Sequence, residues 1–585
     1  MSASARRWAW ILPLTIAVTL PSVVIGFYAD DYVLRDEAAR LIPYSPPTYD
    51  LYNFTGATPA DNRALVDAGI LAWWTSPGLR IHLLRPLTSL LLAGDLRLFG
   101  AHPLGYHIVS LAWYLGLVAA VAAVFRRILA PSAALIATII FAIDPAHVSP
   151  WGWIACRHMS IAAAFSVLSL LLLIRARQRH WPPGAWLSAL ALAFGFAGGE
   201  TALGGVGYAL AYALLGGRAD EPAGRRAALI APVLGVTVLY LALYMHAGGG
   251  AAHGGAYVSP FSEPLVFAAA LAARLPAMLA DATVLLPADL ASVPHFASWF
   301  MVAACAGIGA LLVLYAIVRP LLDEAARLAL RWLVPGSVAA LVVTMGGFPG
   351  SRLRLMADVG FAAVFGVLLG AGFARAPAAG SARLWTRRTL CSFFAVVHLG
   401  LAPLLALAST ISQAHVARSL EAVSGEVAAL ARPEDRIFVL VASDPFVAMY
   451  PPSVLLSSSQ AWAASCWSVG SMAKGTHRVT RTGPSTLLVE ALGTTLLEGA
   501  FELLYRSRDE PLRVGDRFTQ CGASYRVDAA KSGRPTRIEL TLDVPLEDSH
   551  IRVLAWQDGH LRSVESLPIG HSLDIAWSPG PVGML

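Results

Sequence analysis

The amino-acid sequence predicts an all-α polytopic membrane protein with a small C-terminal domain of α+β, β-rich type. Three observations carry this. Of 585 residues, 56% are hydrophobic and 14% charged, with a mean hydropathy of +0.61, whereas soluble domains carry roughly 25% charged residues. Apolar runs of spanning length recur along residues 8–408, giving eleven expected spans. Past residue 410 these runs stop and short strand-like segments begin. The domains are therefore drawn as 1–410 and 411–585. A net charge of +6 over this length does not point to nucleic acid, and basic residues are read by position as topology signals.

The first run, Trp8–Phe27, is long enough to cross the roughly 30 Å of hydrocarbon and follows Arg6 and Arg7. It is too long for a signal-peptide core and lacks a small-x-small site, so it reads as an uncleaved anchor. The N-terminus is then cytoplasmic by the positive-inside rule. A long first outer loop, 28–104, carries two helical signals, Ala60–Trp74 and Arg85–Phe99. Both are expected to lie in the membrane interface, with Trp73 and Trp74 at headgroup level.

Ten further spans follow: Gly105–Leu129, Pro131–Pro150, Ile154–Ile174, Ala185–Ala197, Leu203–Leu215, Ala227–Met245, Trp299–Val318, Trp332–Gly346, Leu355–Phe373 and Leu390–Ala408. Pro264–Leu286 is expected to lie in the interface. Drawn this way, the short Arg-rich loops holding Arg126–Arg127, Arg175–Arg179, Arg218–Arg226, Arg319–Arg331 and Arg375–Arg388 all fall on the N-terminal side. The tail then lies outside. It opens with a helix, Gln413–Leu430. Strands are expected at Arg436–Ala442, Ser485–Ala491, Phe501–Tyr505, Ser524–Val527 and Arg537–Leu542, with a hairpin of Ile551–Trp556 and Leu561–Val564 about Asp558-Gly559. No catalytic motif stands out in it, and it reads as a lid or scaffold. Five cysteines include no CxxC pair. Cys466 and Cys521 fall in the tail and are a candidate disulfide if it is extracytoplasmic.

The ionisable groups near the membrane fall at one boundary, the outer one. Asp30 and Asp31 follow the first span. Arg85 and His107 precede the second. Asp144 and His147 end the third, Arg157 and His158 open the fourth, Glu200 sits at an outer turn, and Arg352 and Arg354 open the tenth. Charge beside hydrocarbon is costly and points to function. Arginines pair bidentately with phosphate. A poorly hydrated carboxylate gains proton affinity and serves as a general base. Adjacent carboxylates such as Asp30 and Asp31 can also hold a divalent metal ion. No GxxxxGK[ST] motif is present, so the energy must arrive in an activated donor.

Several motifs resemble the GT-C membrane glycosyltransferases, above all the protein O-mannosyltransferase type and bacterial homologues with a periplasmic tail. The acidic pair Asp30-Asp31 follows the first helix. Arg85-Pro86-Leu87, Leu98-Phe99-Gly100 and Gly105-Tyr106-His107 are similar to the run before the second helix. Asp144-Pro145-Ala146-His147 with Arg157 resembles an HP-x-H…GR stretch, Gly199-Glu200 the end of a KE motif, and Ser351-Arg352-Leu353-Arg354-Leu355 an RYLYL segment. The resemblance covers roughly 8–375. It implies a polyprenyl-phosphate sugar donor and inversion at the sugar carbon. Whether the acceptor is a protein, lipid or glycan is left open, and the expected place is the periplasmic face of a bacterial inner membrane. It gives Asp30 or Asp31 as base, Arg352, Arg157, Arg85 and Arg354 as phosphate ligands, and Glu200, His107, His147, Asp144 and His158 as supporting groups. The sequence departs at Asp144 (usually His), Ser149 (Glu), Met159 (Asp), Gly199 (Lys) and Arg354 (Tyr).

Blander readings stand beside these. The acidic pair can cap a helix, Arg352 can anchor at headgroups, Arg85 can pair with Asp95, and the histidines can be structural. A transporter or flippase for a lipid-linked or anionic solute, and a non-catalytic scaffold, are the alternative functions. The transporter predicts charge at the bilayer midplane, broken helices and repeat symmetry.

Overall fold

A computed structural model describes residues 8–42, 44–217, 221–292, 296–374, 381–499, 501–564 and 567–581. Arg6, Arg7, Arg218 and Arg375, four of the topology signals, lie outside the described residues. The protein is a mostly helical polytopic membrane chain with a β-rich C-terminal domain. Among the described residues, seven helices are long and apolar enough to cross a membrane, or eight if the bent pair Pro131–Ala142 and Pro145–Gly152 is one span. Shorter apolar helices occupy Ile11–Val24, Pro183–Gly198 and Asp358–Gly372. The expected count of eleven is not fixed by these criteria. Arg126 lies 5.0 Å over the ring of Trp8, which places the end of Pro103–Ile128 beside the start of the first helix.

Three elements differ from expectation. Pro264–Val284, expected in the interface, is itself long and apolar enough to span. The run Pro131–Pro150 bends by 46°, because Pro145 restarts the chain as a 3-10 turn and Asp144 caps it by accepting from Ala146 N–H at 2.9 Å. The last span and the tail's first helix are one apolar-to-polar run, Ala382–Leu430 of 49 residues, in which the expected boundary at 410/411 leaves no break.

The C-terminal domain holds two sheets. One has four strands in the order His560–Ser563, Ile551–Gln557, Arg436–Val441, Cys466–Ser471, with parallel pairing about the central Arg436–Val441. The other is antiparallel with six strands, Ser572–Ile575, His477–Arg481, Thr486–Ala491, Arg534–Leu542, Ala523–Lys531 and Arg517–Gln520. Asp558 and Gly559 both have positive φ, as the two-residue hairpin turn demands. Phe501–Tyr505, expected as a strand, contains the helix Glu502–Tyr505. Cys466 and Cys521 are disulfide-bonded.

The first loop docks on this domain instead of lying at headgroup level. Trp73 and Trp74 are each 1% exposed. Trp73 stacks on Tyr525 at 4.8 Å, and its Nε1 donates to Val469 O at 3.0 Å. Trp74 Nε1 donates to Glu502 O at 3.1 Å. Both indoles find carbonyl partners, which is the condition for burying them fully. Loop and tail thereby share one hydrophobic core. Arg80–His82 also pairs with Gly250–Ala252, tying the loop to the connection that precedes Pro264–Val284.

Candidate functional site

The site is built around the turn that joins the first apolar helix to Asp30–Ala38. Gly26 has φ +86° and Ala29 φ +48°. A non-glycine residue in that region is strained and persists only where its surroundings fix it. Asp31 does part of the fixing. Its Oδ2 accepts Tyr28 N–H at 2.9 Å across the turn, and its Oδ1 accepts Ala155 N–H at 2.7 Å from the start of the fourth expected span. Asp31 is 1% exposed. Burial pushes its carboxyl up to about 8 against these two amide bonds. It is therefore committed to holding the backbone.

Asp30 differs from its neighbour. It is half-buried, and its Oδ1 accepts the hydroxyl of Tyr450 at 2.8 Å. Burial raises its carboxyl, opposed by that hydroxyl and by the positive fields of Arg352 and Arg85. The charges of both arginines thus act on the same carboxylate. Arg352 donates to Phe348 O at 3.3 Å and stacks 5.6 Å over Trp153. Arg85 grips Glu200 bidentately, Nε to Oε2 at 2.9 Å and Nη2 to Oε1, with Tyr52 stacked at 4.6 Å. Glu200 feels burial, but Arg85 outweighs it and holds the carboxyl down at about 2. Tyr257 sits where Asp30, Arg352, Arg85 and Glu200 all act on it. It is carried by the connection that Arg80–His82 pins. Tyr28, Trp153 and Phe446 add half-buried rings, with Tyr28 packing on Trp153 at 5.2 Å and on Phe446 at 6.2 Å.

Four expected groups thus converge: Asp30, Arg85, Glu200 and Arg352. The others, Arg157 and Arg354 among them, make contacts elsewhere in the protein. Arg157, 1% exposed, donates to Ser110 Oγ and Tyr106 O at 2.9 Å each and to Asp95. Asp95 is the partner of Arg157, not of Arg85. Arg354, 0% exposed, bonds Asp144 at 2.8 Å and lies 3.4 Å from Asp358 and 3.7 Å from Asp281. Two residues apart on a three-residue turn, Arg352 and Arg354 must point to different sides. His147 bridges Tyr114 and Asp358 at 3.0 Å each. His107 meets Gly26 O at 2.9 Å, and His158 is buried with its ring 5.8 Å from Tyr52. Among the described residues, the buried Nδ1 of His107 and of His158 has no hydrogen-bond partner.

In the acidic pair three of the four carboxylate oxygens already accept hydrogen bonds. Both oxygens of Asp31 accept backbone N–H groups, and one oxygen of Asp30 accepts Tyr450. Among the described residues two other groups bring three metal-competent atoms within 4.8 Å: Asp144–His147–Asp358 and Glu434–Asp435–His550. Arg354 already sits against the first, and Arg552 Nε lies 3.2 Å from Asp435 in the second.

Tyr450 and Tyr257 were missed from sequence. Asp444-Pro445 marks a helix start, and Asp444 Oδ1 does cap it, accepting from Phe446 and Val447 N–H. Nothing in that signal reports the distant Asp30.

Fold and site together define a multi-pass membrane protein with a carboxylate–arginine cluster between its helical part and its C-terminal domain. No family model and no curated protein sequence matches the chain. Among solved structures, it is similar to ArnT from Cupriavidus metallidurans bound to undecaprenyl phosphate (14% identity, 78% of this chain and 88% of that one, TM-score 0.39). It is also similar to the same protein in the apo state (13%, 80% and 90%, 0.40). A third similarity is to the Archaeoglobus fulgidus oligosaccharyltransferase tethered with an acceptor peptide (11%, 79% and 64%, 0.38), of whose length the match spans under two thirds. No correspondence of residues follows at these scores, and the functional reading rests on the side chains described above.

Proposed function

We propose that this chain is a membrane glycosyltransferase that moves a sugar from a polyprenyl-phosphate donor to an acceptor hydroxyl, with inversion, at the periplasmic face. The carrying observation is one half-buried carboxylate, Asp30, that accepts the Tyr450 hydroxyl on one oxygen and lies in the positive fields of Arg352 and Arg85. Asp30 takes the proton of the acceptor hydroxyl as that oxygen bonds to the anomeric carbon. The bond from that carbon to the phosphate oxygen breaks on the opposite side, leaving polyprenyl phosphate. Arg352 faces the charge developing on that phosphate, where a preorganised cation acts on the transition state. Arg85, neutralised by Glu200, orients this side of the site. The disulfide Cys466–Cys521 belongs with an oxidising compartment, which supports the tail being periplasmic in a bacterial inner membrane.

Binding of undecaprenyl phosphate to the purified protein tests this reading. Arg352→Ala is expected to weaken it at least tenfold while Asp30→Asn leaves it within about twofold, since a phosphate contact is lost only in the first. Equal binding by wild type and Arg352→Ala would remove the phosphate site.

One observation favours a transporter instead. The bent pair 131–152 brings Asp144 and His147 against Asp281, Arg354 and Asp358, a buried ionic cluster beside a broken helix. Solute uptake into proteoliposomes abolished by Asp358→Asn, with no transferase activity in wild type, would support that reading over ours.

A further inference from the structure

The tail reads from sequence as a lid or scaffold, yet it supplies the only hydroxyl bonded to Asp30 among the described side-chain contacts. We propose that Tyr450, from the C-terminal domain, is a positioning residue for Asp30. It holds Oδ1 so that Oδ2 faces the acceptor, and so makes the tail part of the site. This rests on Asp30 being the base.

Three features support it. The segment carrying Tyr450 is clamped at both ends: Asp444 caps Pro445–Ala448, and Ser457 of Pro451–Ser458 donates to Asp36 Oδ1 at 2.7 Å, about one and two-thirds turns beyond Asp30 on its own helix. The Tyr450 ring is 8% exposed and packs 5.5 Å from Phe446, which in turn meets Tyr28. A phenol fixed in this way has no other acceptor in reach of its hydroxyl among the bonds described, and Asp30 is 420 residues away in sequence. Domain docking is thereby built into the geometry of the carboxylate.

The hydroxyl also bears on the charge of Asp30. On its own helix and turn Asp30 faces Asp31, Glu37 and Tyr28. From other elements Arg85, Cys156, Tyr257 and Arg352 interact with it electrostatically. From the tail it faces Tyr450 and Tyr505. Tyr450 is the one of these that donates a hydrogen bond to the carboxylate, which favours the ionised form. Removing the hydroxyl while keeping the ring must raise the proton affinity of Asp30. A hydrogen bond to a charged group corresponds to a shift of about one to two pH units.

The test needs no donor or acceptor. Dicyclohexylcarbodiimide modifies protonated carboxyls in apolar surroundings. Its labelling of the Asp30 peptide, read by mass spectrometry on the full-length protein in nanodiscs across pH 4–10, falls as Asp30 ionises. Asp30→Asn gives the background. Tyr450→Phe is expected to move the midpoint upward by about one to two units, and Phe446→Leu, which leaves the hydroxyl, to move it by less. Superimposed profiles for wild type and Tyr450→Phe overturn the proposal. A shifted midpoint in a protein that does not bind undecaprenyl phosphate would instead keep Tyr450 as the partner of Asp30 and sink the transferase reading.

Discussion

Arg157→Ala separates structural from functional arginines. Arg157 is 1% exposed and uses three donors within the protein, on Ser110, Tyr106 and Asp95. Asp95 has a side chain only 6% exposed and is left with no cation when Arg157 is removed. Breaking one partner out of a buried ion pair costs about 3–5 kcal/mol, because the remaining charge stays desolvated. The loss falls where the Arg85–Phe99 segment meets the helix Arg157–Gln178. Thermal unfolding of the purified protein in detergent should show a marked fall for Arg157→Ala. Replacing both partners, as Asp95→Leu with Arg157→Met, should recover much of it, since no lone charge remains. Undecaprenyl phosphate binding by the folded fraction should be unchanged. If Arg157→Ala instead unfolds like wild type and loses that binding, Arg157 belongs to the phosphate site and the reasoning fails.

Other outcomes follow from the same geometry. Because Arg85 depresses Glu200, its contribution to stability is complete above the ordinary carboxylate range and is lost as pH falls from about 4.3 toward about 2; Glu200→Gln should lose that acid-side slope in unfolding temperature. Asp31 has the opposite sign. Its carboxyl is raised to about 8, so its contribution is full below about 4 and is lost as pH rises through about 8. The difference in unfolding temperature between wild type and Asp31→Asn should therefore narrow or reverse across that window. Trp73→Ala should cost about 3–5 kcal/mol and expose the junction of first loop and tail to limited proteolysis, since the ring is fully buried against Tyr525.

The membrane class was legible because it rests on composition and on long apolar runs, which tertiary context does not overturn. Local turn chemistry was legible too, as the Asp558-Gly559 hairpin shows; the candidate disulfide of Cys466 with Cys521 is formed. Placement across the chain was not. Trp73 and Trp74 carry the composition of an interfacial belt, but the partners of their N–H groups are carbonyls some 400 residues on. Arg352 and Arg354 look interchangeable in sequence, and only the 3-10 turn separates a half-buried arginine from a fully buried one. Asp30 and Asp31 likewise differ only in which one the backbone amides of Tyr28 and Ala155 reach. The hydroxyl of Tyr450 could be assigned to Asp30 only once the tail was seen docked on the first loop.

The central claim is that Asp30 acts as the base of sugar transfer beside a phosphate held by Arg352. Release of undecaprenyl phosphate from a panel of undecaprenyl-phosphate sugars, measured in proteoliposomes with mixed envelope acceptors, tests it most directly. Wild type is expected to release it with one of the donors. Asp30→Asn should lower that release by about a hundredfold or more, as loss of a general base does, while still binding undecaprenyl phosphate. Release by Asp30→Asn at the wild-type rate would contradict the account.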